Sequence, residues 1–228
     1  MQSNPTPIKG INNMNKIKYL ATALIAIAGL GFQQAKADTY SFDLNVGNSA
    51  ISGFSGPYAN VSITTAGPSA TSATVTFTAY SGFLIGDGSS ANVNVNGAGW
   101  TIGNFSWTGG NGSTSFSDGG SGNVDGFGTF NQTTNNHDGF ASAVTSVTFT
   151  LTLTSGSWAN AMSVLVLTTG NNGGWLAAAH IFAIGNSSIS TGFAAGNGTA
   201  GVPDGGATVM LLGAALGLLG VARRYLAG

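Results

Sequence analysis

The chain contains no cysteine and no glutamate among its 228 residues. Without cysteine, neither a disulfide framework nor a thiolate metal site can form. Charged residues make up only 6% of the sequence, against about 25% in an average soluble protein. Because 43% of the residues are hydrophobic, the scarcity of charge does not indicate disorder, which normally combines low hydrophobicity with high net charge. The composition therefore predicts a folded domain with an apolar core.

Positive charge is missing from the whole middle of the chain. Between Ala37 and Val202 the sequence carries six aspartates but no lysine or arginine. Nucleic-acid binding requires cationic side chains that displace counterions from phosphate, so this composition excludes that class of function. The basic residues of the chain are Lys9, Lys16, Lys18, Lys36, Arg223 and Arg224.

Residues 14–37 have the parts of a secretory signal peptide, which we expect to form a short helix. Lys16 and Lys18 supply the positive region, and the apolar run 19–32 follows them. This order of parts is typical of signals for the Sec route. Residues 1–13 lack that character and are interpreted as a leader or a misassigned start.

A cleavage site ends this segment. Ala35 and Ala37 place small side chains at the two positions that signal peptidase reads. Cleavage there would leave Asp38 as the first residue of the mature protein, whereas the alternative is a permanent N-terminal anchor. The sequence leaves open whether translation starts at Met1 or at Met14.

The C-terminal run 207–222 contains 16 residues and no charge. As a helix it would span roughly 24 Å, slightly less than the ~30 Å hydrocarbon core of a bilayer. Arg223 and Arg224 can extend their side chains to the interface and would stay on the cytoplasmic side. We therefore predict a transmembrane helix followed by a cytoplasmic basic tail, 223–228, that stops transfer. The alternative is a buried core helix.

A short motif precedes this helix within the predicted linker 200–206. Its residues are Val202, Pro203, Asp204, Gly205 and Gly206. The order of motif, apolar helix and paired arginines resembles the C-terminal sorting signal of the PEP-CTERM protein family, in a variant with VPDGG where other members have Pro-Glu-Pro. The resemblance covers residues 202–228.

That resemblance implies a route out of the cell. In the family, membrane-embedded exosortases recognise the motif, cut near it, and release or transfer the protein to the cell surface or to an exopolysaccharide matrix. The family occurs in Gram-negative bacteria, many of which form biofilms. The expected partners are therefore signal peptidase, an exosortase-type enzyme and, transiently, the membrane, with exopolysaccharide as a further candidate.

The body, residues 38–199, alternates apolar and hydroxyl side chains. Alternation is clearest in 146–155 and 72–80, where threonines occupy every second position. A period of two predicts half-buried strands, and their number favours an antiparallel β-sandwich, jelly-roll-like. The Gly-rich stretch 108–128 is interpreted as a long loop. Further predicted strands are 40–46, 58–65, 91–96, 100–107, 162–169 and 175–185. The three alanines of the last segment could also begin a helix, but Gly174 and Gly185 bracket a length suited to a strand.

Two aspartates in that stretch are the candidate metal ligands. Asp118 and Asp125 offer hard oxygen ligands of the kind that Ca²⁺ prefers. Their surroundings come close to the calcium-binding nonapeptide repeat, but Val124 holds the position of its aspartate. A solvated loop without a metal is the alternative, and we expect no other cofactor.

Few features of the sequence indicate a catalytic site. No G-x-S-x-G elbow accompanies the many serines. His180 is interpreted as a buried structural residue and His137, beside Asp138, as a solvated loop residue. The four tryptophans could stack on sugar rings, although core packing is the alternative. They are Trp100, Trp107, Trp158 and Trp175.

These observations predict a non-enzymatic structural protein of the cell surface or exopolysaccharide matrix. A carbohydrate-binding or Ca²⁺-dependent adhesive module is the alternative. A secreted hydrolase that uses Asp and His is a third hypothesis, and it requires the two side-chain types to meet in one cleft.

Overall fold

The computed structural model describes residues 37–110, 115–170, 172–185 and 188–198. All of them belong to one compact unit that begins at Ala37. The predicted signal helix and transmembrane helix lie outside the described residues. Within the described ranges, no helix is long and apolar enough to cross a membrane.

The described residues form twelve β-strands and three short 3₁₀ helices, the latter at Ser49–Ile51, Phe140–Ser142 and Ala161–Val164. The strands are β1 (Asp38–Leu44), β2 (Val46–Gly47), β3 (Ala59–Thr65), β4 (Ser72–Ala79), β5 (Phe83–Ile85), β6 (Ala91–Val93), β7 (Trp100–Thr108), β8 (Ser117–Val124), β9 (Gly128–Asn135), β10 (Ser146–Leu153), β11 (Ala177–Ile184) and β12 (Ile189–Gly196).

The strands form two antiparallel sheets. The first sheet has the order β1-β3-β4-β10-β7. The second has the order β2-β12-β11-β6-β9-β8, and β5 also pairs with β11. The edge strands are thus β1 and β7 in the first sheet, and β2 and β8 in the second.

The inner face of the first sheet follows from the alternation in β4 and β10. Phe77 and Phe149 are fully buried, and their rings stack with centroids 6.2 Å apart. The threonines between these apolar residues point away from the core and are exposed or half-buried. The predicted inward and outward faces of both strands are therefore confirmed.

Both sheets contribute to one hydrophobic core. Phe149 of the first sheet belongs to the same buried cluster as Val93 and Ile181 of the second. The prediction of an antiparallel all-β fold is confirmed, and two sheets around one core are consistent with a β-sandwich. The jelly-roll connectivity stays a prediction.

The predicted strand 162–169 is wrong. A 3₁₀ helix, Ala161–Val164, opens this segment, and the side chain of Asn160 caps it by accepting a hydrogen bond from the Ser163 amide at 2.9 Å. Leu165 makes only an isolated bridge with Val95. Val164 and Leu165 are buried in the core. The flanking apolar residues Met162, Val166 and Leu167 are exposed, so the run contributes to the core at its middle and does not form a regular strand.

The prediction of a loop over 108–128 is wrong for Ser117–Val124, which form β8. This strand pairs with β9 through a register that shifts at Gly120 and Gly122. Bulges at these glycines interrupt the alternation of inward and outward side chains in β8. The sequence therefore lacks the period of two that predicts a strand.

The outer face of the first sheet carries rows of hydroxyl groups. The register places Ser62, Thr76, Thr148 and Ser106 side by side on four neighbouring strands. Within this row the Thr76 and Thr148 hydroxyl oxygens lie 2.9 Å apart. Such cross-strand hydroxyl pairs stabilise a sheet, and here they also keep this row of the outer face polar without charge.

Candidate functional site

A polar cleft of about 370 Å³ opens at the edge of the first sheet, where β1 meets the end of β12. The cleft is lined by residues of β1 and β3 and by residues of the segments that follow β1, β4 and β12. They are Ser41, Phe42, Asp43, Asn45, Asn60, Tyr80, Asn197 and Gly198.

Asp43 lies at the centre of the hydrogen bonds in this cleft. Its Oδ1 accepts a hydrogen bond from Asn60 Nδ2 at 2.8 Å and another from Tyr80 Oη at 2.9 Å. The first of these bonds arises from strand register, because Asp43 faces Asn60 directly across β1 and β3. Among the described residues no hydrogen bond reaches Asp43 Oδ2. The carboxylate is therefore held in place through Oδ1, while Oδ2 is available to accept a hydrogen bond.

Tyr80 stands beside this carboxylate and is 39% exposed. Its hydrogen bond to Asp43 raises the pKa of Tyr80 above the usual value of 10, and partial burial and the negative charge of Asp43 add to the effect. The pKa is raised because ionisation would remove the donated proton and place a second negative charge next to the first.

Asp43→Asn is expected to lower the pKa of Tyr80, because the substitution removes the anionic acceptor. NMR titration of the full chain with ring-¹³C tyrosine measures this pKa, and Tyr80→Phe identifies the resonance. Because the pKa of Tyr80 is raised in the folded protein, the stability contributed by this hydrogen bond is fully present below the unfolded value of 10 and is lost as the pH rises through the higher folded pKa. An unchanged Tyr80 pKa in Asp43→Asn would contradict the assigned hydrogen bond.

The end of β12 forms one wall of the cleft by close backbone approach. A Cβ atom at Gly196 would collide with the Asp43 carbonyl oxygen, and one at Gly198 would collide with the Tyr40 hydroxyl. Gly198 also has a positive φ of 63°, which favours glycine. The first strand and the last described residues therefore lie side by side.

The structure does not bring Asp118 and Asp125 together. They lie at opposite ends of β8, roughly 20 Å apart at the rise of an extended strand. Asp118 Oδ1 accepts hydrogen bonds from Gln132 Nε2 and the Gly120 amide, both at 2.8 Å. In the described part of the chain, no group of three or more His or Asp side chains could hold a metal ion.

Asp118 and Asp125 each bind a different amide. The Gln132 side chain that Asp118 orients accepts a hydrogen bond from Trp100 Nε1 at 2.8 Å, so this network joins β8 and β9 to β7 of the other sheet. Asp125 Oδ2 accepts a hydrogen bond from Asn48 Nδ2 at 3.2 Å. Both carboxylates thus have structural partners.

His180 is half-buried on β11 with both ring nitrogens bonded. Nδ1 donates to the Gly88 carbonyl oxygen at 3.0 Å, and Nε2 lies 2.8 Å from the Thr191 hydroxyl. Its ring also contacts Phe193, with centroids 4.2 Å apart. These contacts are those of a residue that packs between strands.

His137 is exposed, and its Nε2 lies 3.1 Å from the Ser115 hydroxyl. Neither His137 nor His180 lines the polar cleft. The arrangement required by the hydrolase hypothesis, histidine with two aspartates in one cleft, is therefore not formed there.

The tryptophans differ in exposure. Trp158 is buried and its Nε1 donates to the Asn96 carbonyl oxygen at 2.7 Å. Trp107, on β7, is 39% exposed and packs against Phe116. None of the four tryptophans lines the cleft, whereas Tyr80 does.

The predicted sorting residues, from Val202 to Gly206, and Arg223 and Arg224 lie outside the described residues, as does Ala35. Ala37 is exposed, and Asp38 directly after it opens β1. Asp38 Oδ2 accepts a hydrogen bond from the Ala161 amide at 2.6 Å. The first residue of the predicted mature chain is thus part of the folded body.

Fold and cleft together define a small two-sheet domain with a polar site at one edge. The VPDSG-CTERM motif matches residues 201–226 of the chain. Gly205 stands where the name of this motif has serine. The search of curated proteins found no match, and no solved structure matches the chain.

The matched motif supports a PEP-CTERM-like C-terminal sorting domain, while the VPDGG subtype stays a prediction. It suggests an exported protein that is sorted by an exosortase-type system. It also points to a membrane-associated sorting step and implies processing by an exosortase-like enzyme.

Proposed function

We propose that this protein is a non-enzymatic structural component of the cell surface or of an exopolysaccharide matrix. The observation that carries the proposal is the VPDSG-CTERM motif at residues 201–226. The signal peptide brings residues 38–199 across the inner membrane, and the apolar run 207–222 halts the chain there. Cleavage at both ends then leaves the β domain outside the cell.

The charge distribution supports this role. Every lysine and arginine lies at or before Lys36 or at Arg223 and Arg224, so trimming at both ends removes all fixed positive charge. The remaining domain presents hydroxyl rows on the outer face of its first sheet. A polar surface of this kind interacts with water and neutral polymers without depending on the ionic strength of the medium, because screening by salt acts on charges.

The edge strand β7 adds to this support. Its nine residues, Trp100–Thr108, include no charged side chain and no proline, and such an edge can pair with another chain. A bulge opposite Thr148–Thr150 interrupts its middle. Because a bulge hinders edge pairing, lateral contacts would be limited to the two segments on either side of it.

The proteins that the host releases provide the test of the sorting route. Intact-mass and terminal-peptide analysis of the extracellular form is expected to find Asp38 at the N-terminus and loss of the segment that follows about Val202. The intracellular precursor serves as the control, because it should retain Arg223 and Arg224. Extracellular protein with an intact C-terminus would contradict the sorting proposal.

A carbohydrate-binding module is the second candidate function, and the Asp43 cleft favours it. An adhesive module and a passive structural protein share the same export route, so the sorting experiment does not separate them. Binding of a glycan does, and the chemistry of the cleft indicates which class of glycan to test.

A further inference from the structure

We propose that the cleft around Asp43 binds a neutral glycan, through a pair of adjacent hydroxyl groups and one face of a sugar ring. This inference deepens the second candidate function, and its role in the cell rests on the proposed export. The binding itself depends only on the folded domain.

The hydrogen-bonding groups of the cleft match the needs of a sugar. Asp43 Oδ2 is an available anionic acceptor, and hydrogen bonds to an ionised group are shorter and stronger than those between neutral groups. Asn45 and Asn197 each add an amide donor and acceptor, and within the described residues no hydrogen bond occupies their side chains. Adjacent hydroxyls of a sugar can thus donate to the carboxylate while they accept from an amide.

Two internal hydrogen bonds fix the recognition group before a ligand arrives. Asn60 Nδ2 and Tyr80 Oη both hold Asp43 Oδ1, at 2.8 Å and 2.9 Å. A carboxylate held on one oxygen loses little side-chain freedom when its other oxygen binds, which improves affinity.

Tyr80 borders the cleft with an aromatic side chain. Sugar rings carry C–H groups on their faces, and an aromatic side chain offers a flat apolar surface next to a polar tip. Tyr80 has its hydroxyl bound to Asp43, and the residue as a whole is 39% exposed. The same residue therefore orients the carboxylate and contacts the sugar.

Charge selects a neutral ligand. Asp43 is the charged residue among those that line the cleft, and no lysine or arginine lines it. Like charges repel most strongly where water is partly excluded, so a uronate, sulfate or phosphate group would be rejected.

The hydroxyl rows allow a chain longer than one sugar to bind. Asp43 and Asn60 begin a row that continues through Thr78 to Ser146 across neighbouring strands. These side chains lie on the outer face of the first sheet and are exposed or half-buried. A polysaccharide anchored at Asp43 can extend over this face and replace its water by further hydrogen bonds.

The test measures binding by the full chain, purified in a non-ionic detergent without a sugar headgroup. The probes are three neutral polymers, dextran, galactomannan and xyloglucan, and one polyuronate, polygalacturonate. Affinity electrophoresis in gels with increasing polymer gives the dissociation constants. At least one neutral polymer is expected to bind, and polygalacturonate is not.

Four variants assign the binding to the cleft. Asp43→Ala is expected to weaken binding at least about tenfold, because it removes a charged hydrogen-bond partner. Asp43→Asn keeps the shape of the side chain and should also weaken binding. Tyr80→Phe should retain more affinity than Tyr80→Ala, because it keeps the ring.

Asp125→Ala is the matched control. It removes the same charge from a residue that follows β8 in the second sheet and does not line the cleft, so the affinity should stay as in the parent chain. Near-ultraviolet circular dichroism of each variant confirms that the fold persists.

Three results would overturn the inference: no binding to any neutral polymer, equal binding by Asp43→Ala and the parent, or loss of binding on addition of a chelator. The last would mean that a metal ion, and not the carboxylate itself, recognises the glycan. Each is distinguishable from a failure of the proposed export route, because sorting is measured from the termini of the extracellular protein.

Discussion

Pro203→Ala together with Asp204→Ala is expected to leave an uncut precursor in the membrane fraction. Within the matched motif, Pro203 supplies a rigid ring and Asp204 a carboxylate. A processing enzyme can recognise these two side chains, whereas the neighbouring valine and glycines offer it no polar group. If each contributes about 2 kcal/mol, as strongly contributing interface residues do, the released form should fall by well over tenfold.

Thr199→Ala is the control for this experiment, since it precedes the matched range 201–226. It should be processed like the parent chain. Immunoblots of membrane, periplasmic and extracellular fractions provide the measurement. Normal release of the double variant would show that the motif is not read, and would remove the basis of the proposed route.

Phe149→Ala is expected to destabilise the β domain by about 3–5 kcal/mol, the usual cost of deleting a fully buried phenylalanine ring. Phe149 is fully buried and contacts Phe77 and Phe105 from the neighbouring strands of its sheet. The substitution would leave a cavity, and both Phe77 and Phe105 would have to move to fill it. Denaturant unfolding of the full chain, followed by tryptophan fluorescence, measures the free energy.

Thr152→Ala is the matched control on the same strand, because Thr152 is exposed and points away from the core. Its effect should be less than about 1 kcal/mol, the range of strand propensities. A similar loss of stability in both variants would mean that the two faces of β10 are not inner and outer, and that the assigned core is wrong.

Strands with strict alternation were predictable from sequence because their pattern alone sets which face is buried. β4 and β10 belong to this class. β11 was predicted as well, although its alanines also suit a helix, because Gly174 and Gly185 bracket a length suited to a strand. β8 was missed, since six of its eight residues are glycine, serine or aspartate, which normally indicate a loop.

The cleft could not be predicted, because its residues come together only through register. Asp43, Asn60 and Tyr80 are separated along the chain and belong to three different segments. Each appears in the sequence as an ordinary polar or aromatic residue of a β domain. By contrast, the sorting signal was recognisable because its parts are contiguous and need no folded context.

The closeness of Gly198 to Tyr40 means that the polypeptide enters and leaves the β domain at one place. A protein with this geometry is a natural candidate for circular permutation: a few linking residues could join position 198 to position 37, and new termini could open in an exposed turn.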